Sequence, residues 1–201
     1  MNKMQTLLNE IEEKGWSYQR NFFDMNLVHK LAEQCQLRND SGTMQSAAIG
    51  SGANKTINEG IRSDKISWLT REEKNHHVKT FLNEMNMIKH DFNQNFYMGL
   101  SEYECHFALY PEGSFYKAHM DSFKNNNRRK ITFITYLNEN WQPGDGGELR
   151  IHLDEGMRDI QPYAGSVICF MSDSILHEVL ISNKPRMSLT GWFLTNDNSL
   201  I

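Results

Sequence analysis

The chain has 201 residues and a mass of 23.5 kDa, enough for one domain that buries its own core without disulfide bonds. Its 21 Lys and Arg against 25 Asp and Glu give a net charge of -4, which argues against a dedicated binder of nucleic acid or of an anionic membrane surface. Three scattered cysteines without a CxxC pattern favour a reducing compartment, and no stretch approaches the ~20 apolar residues of a membrane span. We therefore expect a cytoplasmic protein that binds neither nucleic acid nor membrane.

The first part of the chain predicts two helices and a linker. Apolar residues recur at helical spacing in residues 7–11 and again in residues 22–31, where Asp24 is placed to cap the second helix. Residues 38–55 are rich in Gly, Ser, Asn and Ala without an apolar period, which is typical of a connecting loop. Residues 1–54 are thus predicted to form N-terminal helices and a flexible linker.

A long helix and a series of short strands follow. From Thr70, with Glu73 at the capping-box position, apolar residues form one stripe as far as Phe92, so a helix is predicted over about 71–92. After Gly99 the apolar period changes from ~3.6 to ~2, and turn-prone segments separate most of six predicted strands. This pattern predicts an all-β sandwich or barrel supported by the preceding helices.

Two histidines begin an H-x-D pattern, His119 with Asp121 and His152 with Asp154. Residues i and i+2 of an extended segment share a face, so either pair can offer an imidazole and a carboxylate to one metal ion. A third ligand must come from another strand, and His177 is the candidate. With one of the two pairs it would complete a 2-His-1-carboxylate iron site.

The last predicted strand carries an inward-facing cation. With a period of 2, Arg186, Thr190 and Trp192 share one face, where an arginine among small and aromatic residues is costly unless an anion pairs with it. On an earlier strand, Tyr136 is placed to help hold the same carboxylate, and Tyr110 either supports this end of the pocket or packs in the core. These residues predict a pocket with a metal at one end and a carboxylate clamp at the other.

The spacing of these residues resembles that of the double-stranded β-helix dioxygenases that use Fe(II) and 2-oxoglutarate. Local motifs narrow the resemblance to the prolyl hydroxylase domain enzymes of oxygen sensing and their bacterial relatives. The motifs are IRSDKISW (61–68), YPEGSFYKAHMD (110–121), TYLNENW (135–141), GGELRI (146–151), HEV and KPRMSLTGWF. The similarity covers roughly residues 55–195.

The resemblance implies an α+β fold with a double-stranded β-helix (jelly-roll or cupin-like) core at about 100–195, in a dioxygenase domain at 55–201. It also implies Fe(II), O2 and 2-oxoglutarate as cofactor and cosubstrates, with ascorbate as an auxiliary reductant. The metal ligands would be His119, Asp121 and His177, which leaves His152 without a role at the metal. The residues that would bind 2-oxoglutarate are Arg186, Tyr136, Tyr110 and Thr190.

The resemblance further implies a mobile substrate loop at about 55–70 and a substrate entrance beside it. The loop residues Arg62, Asp64 and Trp68 would contact a prolyl substrate, and the entrance would be lined by Tyr116, Arg129 and Trp192. For Arg62, Asp64 and Trp68, a packed loop with an ion pair is the alternative. The expectation is a monomeric oxygen-sensing enzyme that hydroxylates a target proline, at its 4-position, in a protein or peptide. Oxidation of another side chain or a free amino acid, and a non-catalytic metal-binding sensor, stay open as alternatives.

Overall fold

A computed structural model describes residues 2–49, 56–70, 72–122 and 127–196. Within these residues the chain forms three helices, α1 (Lys3–Lys14), α2 (Met25–Asp40) and α3 (His76–Phe96). The strands are β1 (Trp16–Gln19), β2 (Gln45–Ser46), β3 (Lys65–Trp68), β4 (Leu100–Tyr110), β5 (Tyr116–His119), β6 (Arg129–Tyr136), β7 (Leu149–Leu153), β8 (Gly156–Ile160), β9 (Val167–Met171), β10 (Leu176–Val179) and β11 (Arg186–Thr195).

The strands form two antiparallel sheets. The large sheet has the order β1-β9-β6-β11-β4-β3-β2, and the small sheet has the order β5-β10-β7-β8. Buried side chains from both sheets, among them Ile134, Ile151 and Phe170, belong to one apolar cluster, so the two sheets face each other. This is the arrangement expected of a β-helix core.

The helices cover the opposite face of the large sheet. Phe107, Phe133 and Phe193 of that sheet share a second apolar cluster with helical residues such as Leu7 and Phe81. Both N-terminal helices therefore belong to the same core as the chain after residue 54. None of the described helices is long and apolar enough to cross a bilayer.

Two of the helix starts test the predicted caps. Asp24 accepts hydrogen bonds from the backbone N–H groups at the start of α2, as predicted. The Thr70 cap of α3 is wrong, because the Asn75 side chain caps a helix that begins at His76. Glu73 instead pairs with Arg38 at 2.8 Å, so tertiary contact removed it from the predicted capping box.

The segment predicted as a mobile substrate loop is in part a strand. Residues Lys65–Trp68 form β3, which pairs with the edge of β4, and the Asp64 carbonyl accepts a hydrogen bond from the Ala47 N–H. The alternating Lys-Ile-Ser-Trp sequence suits such a pairing, so over these residues the loop prediction is wrong. Residues 50–55 of the predicted linker and loop lie outside the described residues.

Candidate active site

Two histidines and an aspartate converge where β5 meets β10. His119 and His177 are direct register partners of these two strands, and their ring centroids are 4.3 Å apart. Asp121 follows β5 after one residue. Its Oδ1 lies 3.5 Å from Nε2 of His119, and its Oδ2 lies 3.6 Å from Nε2 of His177. One ligand atom from each residue lies within 4.8 Å of the others. The structure thus brings together the three residues predicted to bind the metal.

Backbone carbonyls orient both imidazoles. Nδ1 of His119 lies 2.8 Å from the Lys117 carbonyl oxygen, and Nδ1 of His177 lies 3.0 Å from the Ile175 carbonyl oxygen. An Nδ1–H that donates to a carbonyl leaves the Nε2 lone pair available to a metal ion. Burial lowers the pKa of His177 to about 4, so this imidazole is neutral, as a metal ligand must be, at physiological pH.

The carboxylate between the two imidazoles is held in place by a hydroxyl group. Burial opposes ionisation of Asp121, but His177 and His119 stabilise the carboxylate and hold its pKa well below the usual range. The Thr132 hydroxyl donates to Oδ2 of Asp121 at 2.8 Å and lies 2.9 Å from the Ser172 hydroxyl. Two imidazoles and one carboxylate on the wall of one cavity are the donor set of non-haem Fe(II) oxygenases, so the residues present fit this ion.

A buried arginine marks the other end of the cavity. Arg186 is 1% exposed, and its Nε donates a hydrogen bond to the Gly147 carbonyl oxygen at 2.8 Å. Its guanidinium carbon lies 4.9 Å from the Tyr110 ring and 5.1 Å from the Tyr136 ring. Among the described residues, no carboxylate lies within ion-pair distance of Arg186, and the buried Tyr136 hydroxyl has no hydrogen-bond partner. A buried cation without a carboxylate partner among these residues fits the carboxylate of 2-oxoglutarate.

Both ends open into one cavity of about 400 Å³. Its lining includes the three metal-ligand candidates and Arg186, and the other predicted site residues that line it are Tyr110, Thr190, Arg62, Trp68, Tyr116, Arg129 and Trp192. Tyr136 and Asp64 do not line it. A cavity of this size suits a small dicarboxylate and leaves an entrance for a larger substrate.

The position of Asp64 does not allow a contact with the substrate. Its side chain is fully buried and forms a two-point ion pair with Arg62, at 2.7 Å for Nε and 2.6 Å for Nη2. The prediction that Asp64 contacts the substrate is therefore wrong, since a buried carboxylate that is already paired offers no free surface. Arg62 does line the cavity, in the packed ion pair that was the alternative reading of this segment.

Aromatic side chains build the cavity entrance. Trp68, which is 43% exposed, lies 4.8 Å from the His106 ring and 6.1 Å from the Trp192 ring. The Arg129 guanidinium stacks 3.6 Å above the Trp192 ring, and its Nη2 lies 2.7 Å from a Glu104 oxygen. The structure thus brings together three of the residues predicted at the substrate.

Sequence reasoning missed two residues of the site. His106 lines the cavity, and burial lowers its pKa to about 3, so its imidazole is a neutral part of the wall. Thr132 shares a face of β6 with Tyr136, but its hydrogen bond to Asp121 depends on how two separate segments of the chain meet. His152, by contrast, bonds to Glu178 at 3.0 Å and does not line the cavity.

Comparisons with known proteins identify the family. A family model of the 2OG-Fe(II) oxygenase superfamily matches residues 105–194. The chain is 37% identical in sequence to a Pseudomonas putida prolyl-4-hydroxylase, whose crystal structure it matches with a TM-score of 0.88 over 96% of this chain and 100% of that one. The chain belongs to the prolyl hydroxylase family of 2OG-Fe(II) oxygenases.

Two further relatives extend the comparison. A prolyl hydroxylase from Trichoplax adhaerens, solved in complex with a hypoxia inducible factor peptide fragment, has a TM-score of 0.85 at 24% identity and covers 95% of this chain and 88% of that one. The Caenorhabditis elegans hypoxia-inducible factor prolyl hydroxylase is 26% identical over 94% of this chain, which spans 28% of the length of that protein. These comparisons confirm the double-stranded β-helix fold and Fe(II), 2-oxoglutarate and O2 as the cofactor and cosubstrates.

Proposed function

We propose that this protein is an Fe(II)- and 2-oxoglutarate-dependent dioxygenase that hydroxylates a prolyl residue, at its 4-position, in a protein or peptide. The observation that carries the proposal is a single cavity with the His119, Asp121 and His177 cluster at one end and the buried Arg186 cation at the other. The 37% identity to a prolyl-4-hydroxylase supports proline as the target. The peptide complex of the Trichoplax relative supports a peptide substrate.

In the proposed reaction, one oxygen atom of O2 enters a prolyl C–H bond and the other enters succinate, with release of CO2. His119, Asp121 and His177 would hold Fe(II), which would supply the activation of O2 when bound. Arg186 binds the distal carboxylate of 2-oxoglutarate and so sets its orientation in the cavity, while Tyr136, which does not line the cavity, packs beside the guanidinium. Tyr110 and Thr190 line the same end.

The entrance residues present the substrate. The faces of Trp68 and Trp192 offer apolar surface to a proline ring, and the Arg129 guanidinium covers Trp192 from one side. Together with Tyr116 they exclude water around the reacting carbon when a peptide is bound. The monomeric state, the role of ascorbate, the cytoplasmic location and a part in oxygen sensing stay predictions.

A two-stage experiment tests this function. Fe(II)-loaded protein is titrated with 2-oxoglutarate without O2, then exposed to O2 with and without proline-containing peptides, while succinate and peptide mass are measured. We expect a visible charge-transfer band, its decay with succinate release, and a mass gain of one oxygen atom on a proline. If the enzyme modifies a free amino acid or another side chain instead, the prolyl substrate is wrong. Iron binding without the charge-transfer band would favour a non-catalytic sensor.

A further inference from the structure

Tyr116 stacks directly on a metal-ligand candidate. Its ring centroid lies 3.6 Å from that of His119, and the two ring planes differ by 17°. His119 lies at the end of β5, which pairs with β10 on one side and with residues 61–63 on the other. Among the described residues, the Lys117 carbonyl and the Tyr116 ring orient this imidazole from outside the metal-ligand cluster.

A bulge in β5 makes this stacking possible. In a regular strand, residues three apart, such as 116 and 119, point to opposite faces. Here His119 pairs with His177 and Tyr116 pairs with Val179, so three steps along β5 match two steps along β10. The extra residue reverses the alternation and brings Tyr116 to the face of His119.

The Tyr116 ring is itself held by an ion pair. The guanidinium carbon of Arg62 lies 4.2 Å from the ring centroid, and Arg62 is fixed by its two-point pair with the fully buried Asp64. An imidazole at 3.6 Å and a guanidinium at 4.2 Å cannot share one face of the ring, so Tyr116 is sandwiched between them. We call Asp64, Arg62, Tyr116 and His119 the stacking column.

Backbone hydrogen bonds tie the two chain segments of the column together. The Lys117 N–H donates to the Ile61 carbonyl at 2.9 Å, and the Ser63 N–H donates to the Phe115 carbonyl at 3.2 Å. Residues 61–64 are therefore fastened along β5, directly beside the metal-ligand candidate, rather than free to move as a loop.

We propose that Tyr116 is a positioning residue, which with Arg62 and Asp64 holds the His119 imidazole in the orientation that binds iron. The proposal rests on the metal-binding role of His119 in the proposed function. It assigns to Arg62, Asp64 and Tyr116 a task at the metal that does not require substrate. Because linkage is reciprocal, metal binding also stabilises residues 61–64 against β5.

The test is Fe(II) affinity, measured without O2 and without peptide, for wild type, Tyr116→Leu and Tyr116→Phe. Loss of an outer contact of a metal ligand costs about 10- to 100-fold in affinity, so Tyr116→Leu is expected to bind Fe(II) at least 10-fold more weakly. Tyr116→Phe keeps the ring and is expected to bind as the wild type does. A residue that served substrate binding alone would leave both affinities unchanged.

A matched control is Tyr163→Leu, since Tyr163 also carries an arginine over its ring, Arg20 at 4.3 Å, but does not line the cavity. It is expected to bind Fe(II) normally. If Tyr116→Leu folds and binds Fe(II) with wild-type affinity, the positioning role of the stacking column is wrong and the proposed function is unaffected. A wild-type protein that bound no Fe(II) would overturn the proposed function together with it.

A second measurement stands if Tyr116→Leu does not fold. Hydrogen exchange of the Ser63 and Lys117 amides is followed in the wild type with and without Mn(II) as an inert substitute for Fe(II). We expect Mn(II) to slow exchange at both amides, and to do so less in Arg62→Met, which removes the charge above the ring. Exchange that Mn(II) leaves unchanged in the wild type would overturn the proposal.

Discussion

Replacement of Arg186 by methionine separates the effect of this buried charge on folding stability from its contribution to 2-oxoglutarate binding. In the wild type the guanidinium is 1% exposed and has no carboxylate within ion-pair distance among the described residues. Arg186→Met keeps an unbranched side chain of similar length and removes the charge. Without 2-oxoglutarate, the variant is expected to be at least as stable as the wild type, because an uncompensated buried charge opposes folding.

With 2-oxoglutarate present, we expect the wild type to be more stable than Arg186→Met. Truncating one partner of a buried, hydrogen-bonded charge pair costs about 2–5 kcal/mol, which is roughly a 30-fold to several-thousand-fold loss of affinity. A ligand at 100 times its Kd stabilises the folded state by about 2.7 kcal/mol, or roughly 5–10 °C in Tm for a chain of this size. Arg186→Met is expected to lose about two thirds or more of this shift at the same ligand concentration.

The assay is thermal unfolding with Mn(II) in place of Fe(II), with and without 2-oxoglutarate. Arg150→Met serves as the control, because Arg150 pairs with Asp159 at 2.7 Å on the surface and does not line the cavity. It is expected to keep the full shift. The reasoning is refuted if Arg186→Met keeps the shift, or if without ligand it unfolds well below the wild type.

Three further outcomes follow from the same geometry. His177→Ala is expected to abolish iron binding while His152→Ala retains it, as metal analysis of the purified proteins would measure; equal iron contents would contradict the ligand assignment. Thr132→Val removes a hydrogen bond to the charged Asp121, which is worth about 1.5–3 kcal/mol, so the Mn(II) affinity is expected to fall roughly 10-fold or more. An unchanged affinity would show that this hydroxyl does not orient the carboxylate. Burial raises the pKa of all three cysteine thiols, so they stay protonated at pH 8. Iodoacetamide is therefore expected to label no cysteine in the native protein and three after denaturation. Labelling of the native protein would contradict their burial.

Local periodicity was enough to find the inner face of the last strand. Alternation with a period of 2 put Arg186, Thr190 and Trp192 on one side, and the structure has all three on the cavity wall. The cost of burying an arginine then required an anion, which no sequence neighbour supplies. The two histidines and the aspartate also follow from residue type and spacing, once the resemblance had chosen His119 over His152.

What the tertiary structure decided depends on contacts between distant segments. Asp64 is two residues from Arg62 in the sequence, yet only the packing of residues 61–64 against β5 shows that its carboxylate is buried under the ion pair. The stacking of Tyr116 on His119 depends on a bulge, and alternation by itself predicts the opposite face for Tyr116. Local sequence sets the period of a strand, whereas register, bulges and strand partners are set by pairing over long distances along the chain.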